Sequence, residues 1–139
     1  MKTKFTPLVL LCKNKVDEAE RMLQQNAAEI NAKQAEIDSA VREFAAWSLN
    51  EPTSGLYQEH LTFSYHKDEY RSLIDRKVME LAQLKQQRVE LQEYFRVQNM
   101  EYEKAKYLEG LEIKKNLDRL KRKESIDMDE ISVMLHNAK

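Results

Sequence analysis

The sequence predicts an all-α fold, a long antiparallel two-helix coiled-coil hairpin with arms of unequal length. Three observations carry that prediction. Val9, Val16, Leu23, Ile30, Ile37 and Phe44 recur at strict seven-residue intervals. That spacing presses one stripe of a helix against another helix and, because a heptad falls just short of two full turns, winds the pair left-handed. The one clear punctuation is Asn50-Glu51-Pro52-Thr53-Ser54-Gly55, which reads as the bend between two helices. Of 139 residues only two are Gly and two are Pro, while 34 % are charged, a composition that suits long helices better than strands.

The elements follow in order. Helix one is expected over about residues 6–50: Pro7 fits a first turn, where its missing N–H costs nothing, and no breaker follows before Asn50. The bend takes about 51–56. Helix two is expected over about 57–124, with a seam of Tyr70, Ile74, Leu81, Leu84, Leu91, Phe95, Tyr102 and Ala105. Lys77, Arg88 and Gln98 interrupt it, as polar insertions that fix register at some cost in stability. The apolar phase slips near Leu108, and Gly110 costs about 1 kcal/mol relative to Ala in a helix interior. Leu111, Leu117 and Leu120 carry a weaker stripe onward. The end either continues helix two or forms a short final helix to 136, capped by Ser125 or Asp127 and covering Met128, Ile131, Met134 and Leu135. All of 1–139 reads as a single coiled-coil domain.

Folding back about the bend is expected to set Phe44 near Phe63, Leu23 near Leu84 and Val9 near Gln98. Helix one is then used up by about residue 102, and the remainder could project roughly 50 Å as helix. Isolated helices are marginal in water, so this segment is expected to meet another protein. A hairpin burying one stripe per helix has only modest stability of its own.

Composition narrows the function classes. The net charge is −1, so the basic footprint that nucleic-acid binding needs is absent. The single Cys12 excludes an internal disulfide and suits a reducing, cytoplasmic compartment. Lys2 and Lys4 ahead of the apolar run Pro7–Cys12 mimic a secretory leader ending in a lipidation cysteine. The run is short for that role, bulky Leu11 stands where a small residue is wanted, and Val9 already belongs to the heptad. No stretch approaches a bilayer span. A self-assembling structural coiled coil and a lipid-anchored periplasmic coiled coil remain as alternatives.

No catalytic constellation is visible, and an enzyme is the least expected class. His60, His66 and His136 lack metal-ligand spacing and a cysteine cluster, and read as solvated histidines. Neither nucleotide-binding glycine motif occurs. The carboxylates read as i,i+4 partners of Lys and Arg, and Cys12 as a small apolar seam residue. No cofactor or metal is expected.

Two features have a functional reading. Phe44, Trp47, Tyr57, Phe63, Tyr65 and Tyr70 cluster around the bend. They either plug the hairpin tip or, since a two-helix tip cannot hide six rings, leave some exposed as contact anchors. The second is the basic run Lys114-Lys115, Arg119, Lys121-Arg122-Lys123, followed by Asp127, Asp129 and Glu130. A basic run is commonly a solvated face, but this one lies on the stretch expected to lack a helical partner.

The N-terminal FTPLVLLCKNKVDEAERML, the aromatics around a bend, and the ending Met128-Asp129-Glu130-Ile131-Ser132 together resemble the FliJ family. These are small coiled-coil proteins of flagellar type III export, related to the ATPase-stalk components of injectisomes. The ending resembles the family's (L/M)DE(I/F)A signature, with Ser132 in place of its last small residue. The resemblance implies a cytoplasmic, non-enzymatic stalk for flagellum biogenesis and motility, recruited to the inner-membrane export apparatus through protein partners. Those partners would be the hexameric export ATPase, the cytosolic domain of the export gate, and export chaperones that it escorts. On this sequence the ATPase side would comprise the N-terminal segment with Leu117, Leu120, Lys121, Arg122, Met128, Ile131 and Leu135. The gate side would comprise Trp47, Tyr57, Phe63, Tyr65 and Tyr70.

Overall fold

A computed structural model describes residues 2–53 and 55–138; Ser54, which the sequence places in the bend, lies outside the described residues. Two helices account for nearly all of them. Helix α1 spans Thr6–Ser48, 43 residues, and α2 spans Tyr57–Asn137, 81 residues. Among the described residues there is no strand. The chain is all-helical, a two-helix hairpin with one arm nearly twice the length of the other.

Local chemistry sets the helix ends. The Thr3 and Thr6 hydroxyls accept from the backbone N–H groups of Phe5 (3.1 Å) and Thr3 (2.8 Å), satisfying donors of the turn that leads into α1. At the other end of α1 the Ser48 hydroxyl donates back to the Phe44 carbonyl at 2.8 Å, and Pro52 follows. Gly55 has φ +138°, a backbone state that a side chain resists, and a Cβ there would collide with Glu59. Glu59 itself sits in the first turn of α2, where a carboxylate suits the helix dipole.

The chain divides into two compact units, Ala19–Tyr94 around the bend, and Met1–Glu18 with Phe95–Lys139. In the bend unit, Ile30, Ile37 and Leu81 form the buried cluster, with Leu84 packed against it. The covered positions of α1 include two stripes. One is the apolar heptad; the other is Asn26, Lys33, Ala40 and Trp47, small or polar except at its end. Lys67, Tyr70, Ile74 and Lys77 continue the same three-and-four alternation on α2.

The register of the bend unit differs from the expected one by a heptad. Phe44 packs on Tyr70, ring centroids 5.7 Å apart, rather than on Phe63. The Leu84 carbonyl is taken by Asn26, rather than lying beside Leu23. Lys33 reaches Glu80, and Lys77 reaches Glu36. The connection between the helices permits this offset. Among the described residues, 49–53, 55 and 56 form no helix, and the connection is long enough for α2 to begin beyond the end of α1, so the arms need not meet flush. Trp47, next to last in α1, stacks on Phe63 and touches Tyr70. The start of α2 therefore overhangs, and every residue from 55 to 62 is exposed.

In the second unit, Val16 and Ala105 are buried. Tyr102 lies beneath two ammonium groups, Lys13 at 6.0 Å and Lys106 at 4.4 Å from the ring centroid, so it is Lys13 that faces Tyr102 here and the same one-heptad offset from the expected Val9–Gln98 level holds. The apolar slip near Leu108 is not a slip in packing: Glu109, Glu112 and Asn116 are half-buried in unbroken heptad phase after Ala105. Helix α2 passes through Gly110, Ser125 and Asp127 without interruption. From 117 to 138 every residue is exposed.

Candidate partner-binding surfaces

The six aromatic residues singled out at the bend separate into two groups. Trp47 lies flat on Phe63, centroids 4.2 Å apart and planes within 4°. Tyr70 closes on Trp47 at 5.1 Å and on Phe44 at 5.7 Å. Such ring pairs contribute beyond the area they bury, and all four rings are half-buried. Tyr57 and Tyr65 stay outside, 76 % and 63 % exposed. Part of the cluster is thus packed and part exposed, and the two parts are made from different rings.

Sequence reasoning missed the aliphatic part of this surface. Leu49, Leu56 and Leu61 are exposed, Leu49 to 87 %. They gave no periodic signal because two of them flank or fall in the bend and the third is on the overhanging turn. Two open clefts flank the ring stack. One, of about 430 Å³, is lined by Trp47, His66, Glu69, Tyr70 and Leu73. The other, of about 590 Å³, runs from Trp47 and Pro52 to Leu56, Thr62 and Phe63. His66 borders both clefts and approaches Glu69 at 3.4 Å. The Tyr65 hydroxyl, raised above its ordinary pKa chiefly by a hydrogen bond to Glu69, offers a polar handle beside an apolar ring.

The second surface is the end of α2. Leu117, Leu120, Met128, Ile131 and Leu135 are all exposed, and helical geometry places them along one side with Lys121. Arg122 turns away from that side. Ile126 and Val133, also exposed, lie on the opposite face, a second apolar stripe that the sequence reading did not include. Ile126, Asp129, Glu130, Val133 and Met134 border a shallow concavity of about 430 Å³. At the N-terminal end, Leu8, Leu10 and Leu11 are exposed, while Cys12 is half-buried within α1.

Among the described residues no group of three or more His, Cys, Asp or Glu could hold a metal ion. No helix there is long and apolar enough to cross a membrane. These surfaces can bind by apolar contact and charge.

A family model described as "Flagellar FliJ protein" matches residues 1–139, the whole chain. No curated protein and no solved structure gives a match.

Proposed function

The chain belongs to the FliJ family, a non-catalytic component of flagellar protein export, and from that premise we propose that it is a stalk for the export ATPase. In this reading the end of α2 and the N-terminal segment associate with the hexameric ATPase. The bend surface meets the cytosolic domain of the export gate, and the protein also escorts export chaperones. It works in the cytoplasm and reaches the inner membrane only through these partners.

The observation that supports this best is the exposure of the whole of 117–138 despite eight apolar side chains of the Leu, Ile, Val and Met types in it. Leaving so much apolar surface in water forgoes roughly 25 cal/mol for each Å² that a partner would cover. A stalk contributes no catalytic group. It binds the assembled ring better than the free subunits and shifts assembly by that difference in affinity. Hydrolysis rises because more subunits are assembled.

The test is a chain ending at Asn116. Stimulation of the ATPase should be lost while the bend unit keeps its thermal unfolding midpoint; undiminished stimulation by the shortened chain overturns the reading. On the gate side, Tyr57→Ala with Tyr65→Ala should weaken capture of the gate's cytosolic domain without loss of helicity.

A further inference from the structure

Apolar matching alone leaves the bend unit two registers. Heptads repeat every seven residues, so sliding α2 along α1 by one heptad exchanges one set of apolar layers for another. The observed register sets Phe44 on Tyr70 and Leu84 against the Ile30–Ile37–Leu81 cluster. The neighbouring register would set Phe44 at Phe63, Ile37 at Tyr70 and Leu23 at Leu84, and would draw the ends of the two helices level. It would part Trp47 from Phe63, but the heptad layers themselves do not exclude it.

Polar contacts do distinguish the two. Asn26 is only 3 % exposed, and its amide donates to the Leu84 carbonyl at 3.1 Å. Two helical turns further along α1, Lys33 holds Glu80 at 2.7 Å and Glu36 at 3.1 Å, and Lys77 reaches the same Glu36 oxygen at 3.2 Å. Sliding α2 by one heptad moves it roughly 10 Å and breaks all three interhelical contacts together. Asn26 also leaves its Oδ1 buried without a partner, which costs stability. A buried polar residue that weakens a seam is the kind that selects one pairing over another.

We propose that Asn26, Lys33, Glu36, Lys77 and Glu80 form a register lock, and that releasing it opens a second register one heptad away. The lock decides what the bend displays. In the observed register residues 55–62 overhang and are exposed; in the other the overhang withdraws beside the end of α1. That consequence for a partner rests on the bend being the gate side, whereas the lock itself does not.

Cysteine pairs in the full chain, on a Cys12→Ser background, test it. Ala40 shares a cleft with Leu73 and Lys77, so Ala40→Cys with Ile74→Cys reports the observed register. Ala40→Cys with Lys67→Cys reports the neighbouring one. With the lock intact the first pair should close within the chain and the second should close about tenfold more slowly, a difference typical of coupled polar pairs. Lys33→Glu should speed closure of the second pair, and Lys33→Glu with Glu80→Lys should slow it again. Trp47 emission should change with Lys33→Glu as the Phe63 ring leaves it, and return with the double reversal. Closure of the second pair that ignores Lys33→Glu, or that the double reversal does not restore, overturns the proposal. Because neither readout involves the export gate, failed gate binding by the parent chain would count against the functional reading alone.

Discussion

At the bend, Trp47 lies on Phe63 and Tyr70 closes over both Trp47 and Phe44; from Leu117 to Ala138 not one residue is even half-buried. Both regions present apolar side chains to water, but by different routes. The bend surface borders a packed platform of rings, and Leu56 lines a cleft together with Trp47 and Phe63. The end of α2 has only its own helix to position its side chains. Exposed apolar groups on a platform are pre-organised for a partner and lose little freedom on binding. A bare helix pays that ordering when its partner arrives, so its binding should depend more on total contact area than on any one residue.

The contrast can be broken most forcefully with a buried charge. Ile37→Asp places a carboxylate in the Ile30–Ile37–Leu81 cluster and should cost about 3 kcal/mol or more, seen as loss of cooperative unfolding of the bend unit in urea. Ile131→Asp, on the exposed end, should leave the midpoint unchanged. Equal losses would mean that the end of α2 is covered in solution.

Within the bend the platform and its anchors should separate. Trp47→Ala removes the ring that joins Phe63 to Tyr70 and should cost about 1–3 kcal/mol with helicity retained, whereas Tyr57→Ala should stay within about 0.5 kcal/mol. Denaturant midpoints for the two variants would show whether the rings divide as described.

The two glycines sharpen the comparison through the backbone. Gly55 holds a positive φ at the bend, so Gly55→Ala should destabilise by about 1–2 kcal/mol. Gly110 is helical, and an added Cβ there meets nothing within 4 Å, so Gly110→Ala should stabilise by about 0.5–1 kcal/mol. Thermal midpoints moving in opposite directions are the expected outcome.

The smallest effect is electrostatic and belongs to the bend unit alone. Hydrogen bonds from Lys33, and then Lys77, hold the Glu36 carboxyl below its ordinary pKa, and Lys33 does the same for Glu80. Depressed carboxyls add stability that is present above their unfolded range and fades as pH falls through the folded values. Lys33 is raised, chiefly by its bond to Glu80 and then by Glu36. Its share is present below the unfolded lysine range and fades as pH rises through the folded value. Stability of the bend unit should therefore be flat between these ranges and decline slightly at both ends. The Glu36 and Glu80 side chains keep 49 % and 45 % of their surface in water, so added salt should flatten the profile.

Much of this molecule was legible from its residues. The heptad from Val9 to Phe44 marks α1, and Pro52 with Gly55 marks the bend, because both signals are local: spacing along one helix and backbone chemistry within a few residues. The same locality explains what stayed hidden. Asn26, Lys33 and Ala40 make the second stripe of the α1 seam, yet as small or polar residues they carry no apolar signal. Glu109, Glu112 and Asn116 continue the α2 phase in the same silence, so an apolar slip looked like a break. The bend aromatics were recognised as a group, but their division into a stack and two free rings depends on which helix turn faces which.

By itself, then, the chain's residue pattern determined the helices, the place where they reverse and the inequality of the arms. Only the tertiary structure decided the register, and with it the overhang and the choice of exposed rings. A seven-residue repeat is degenerate by construction: every slide of one heptad restores apolar layers. The selection among slides is made by contacts between residues far apart in sequence, here Asn26 with Leu84 and Lys33 with Glu80, which have no expression in the pattern of either helix alone.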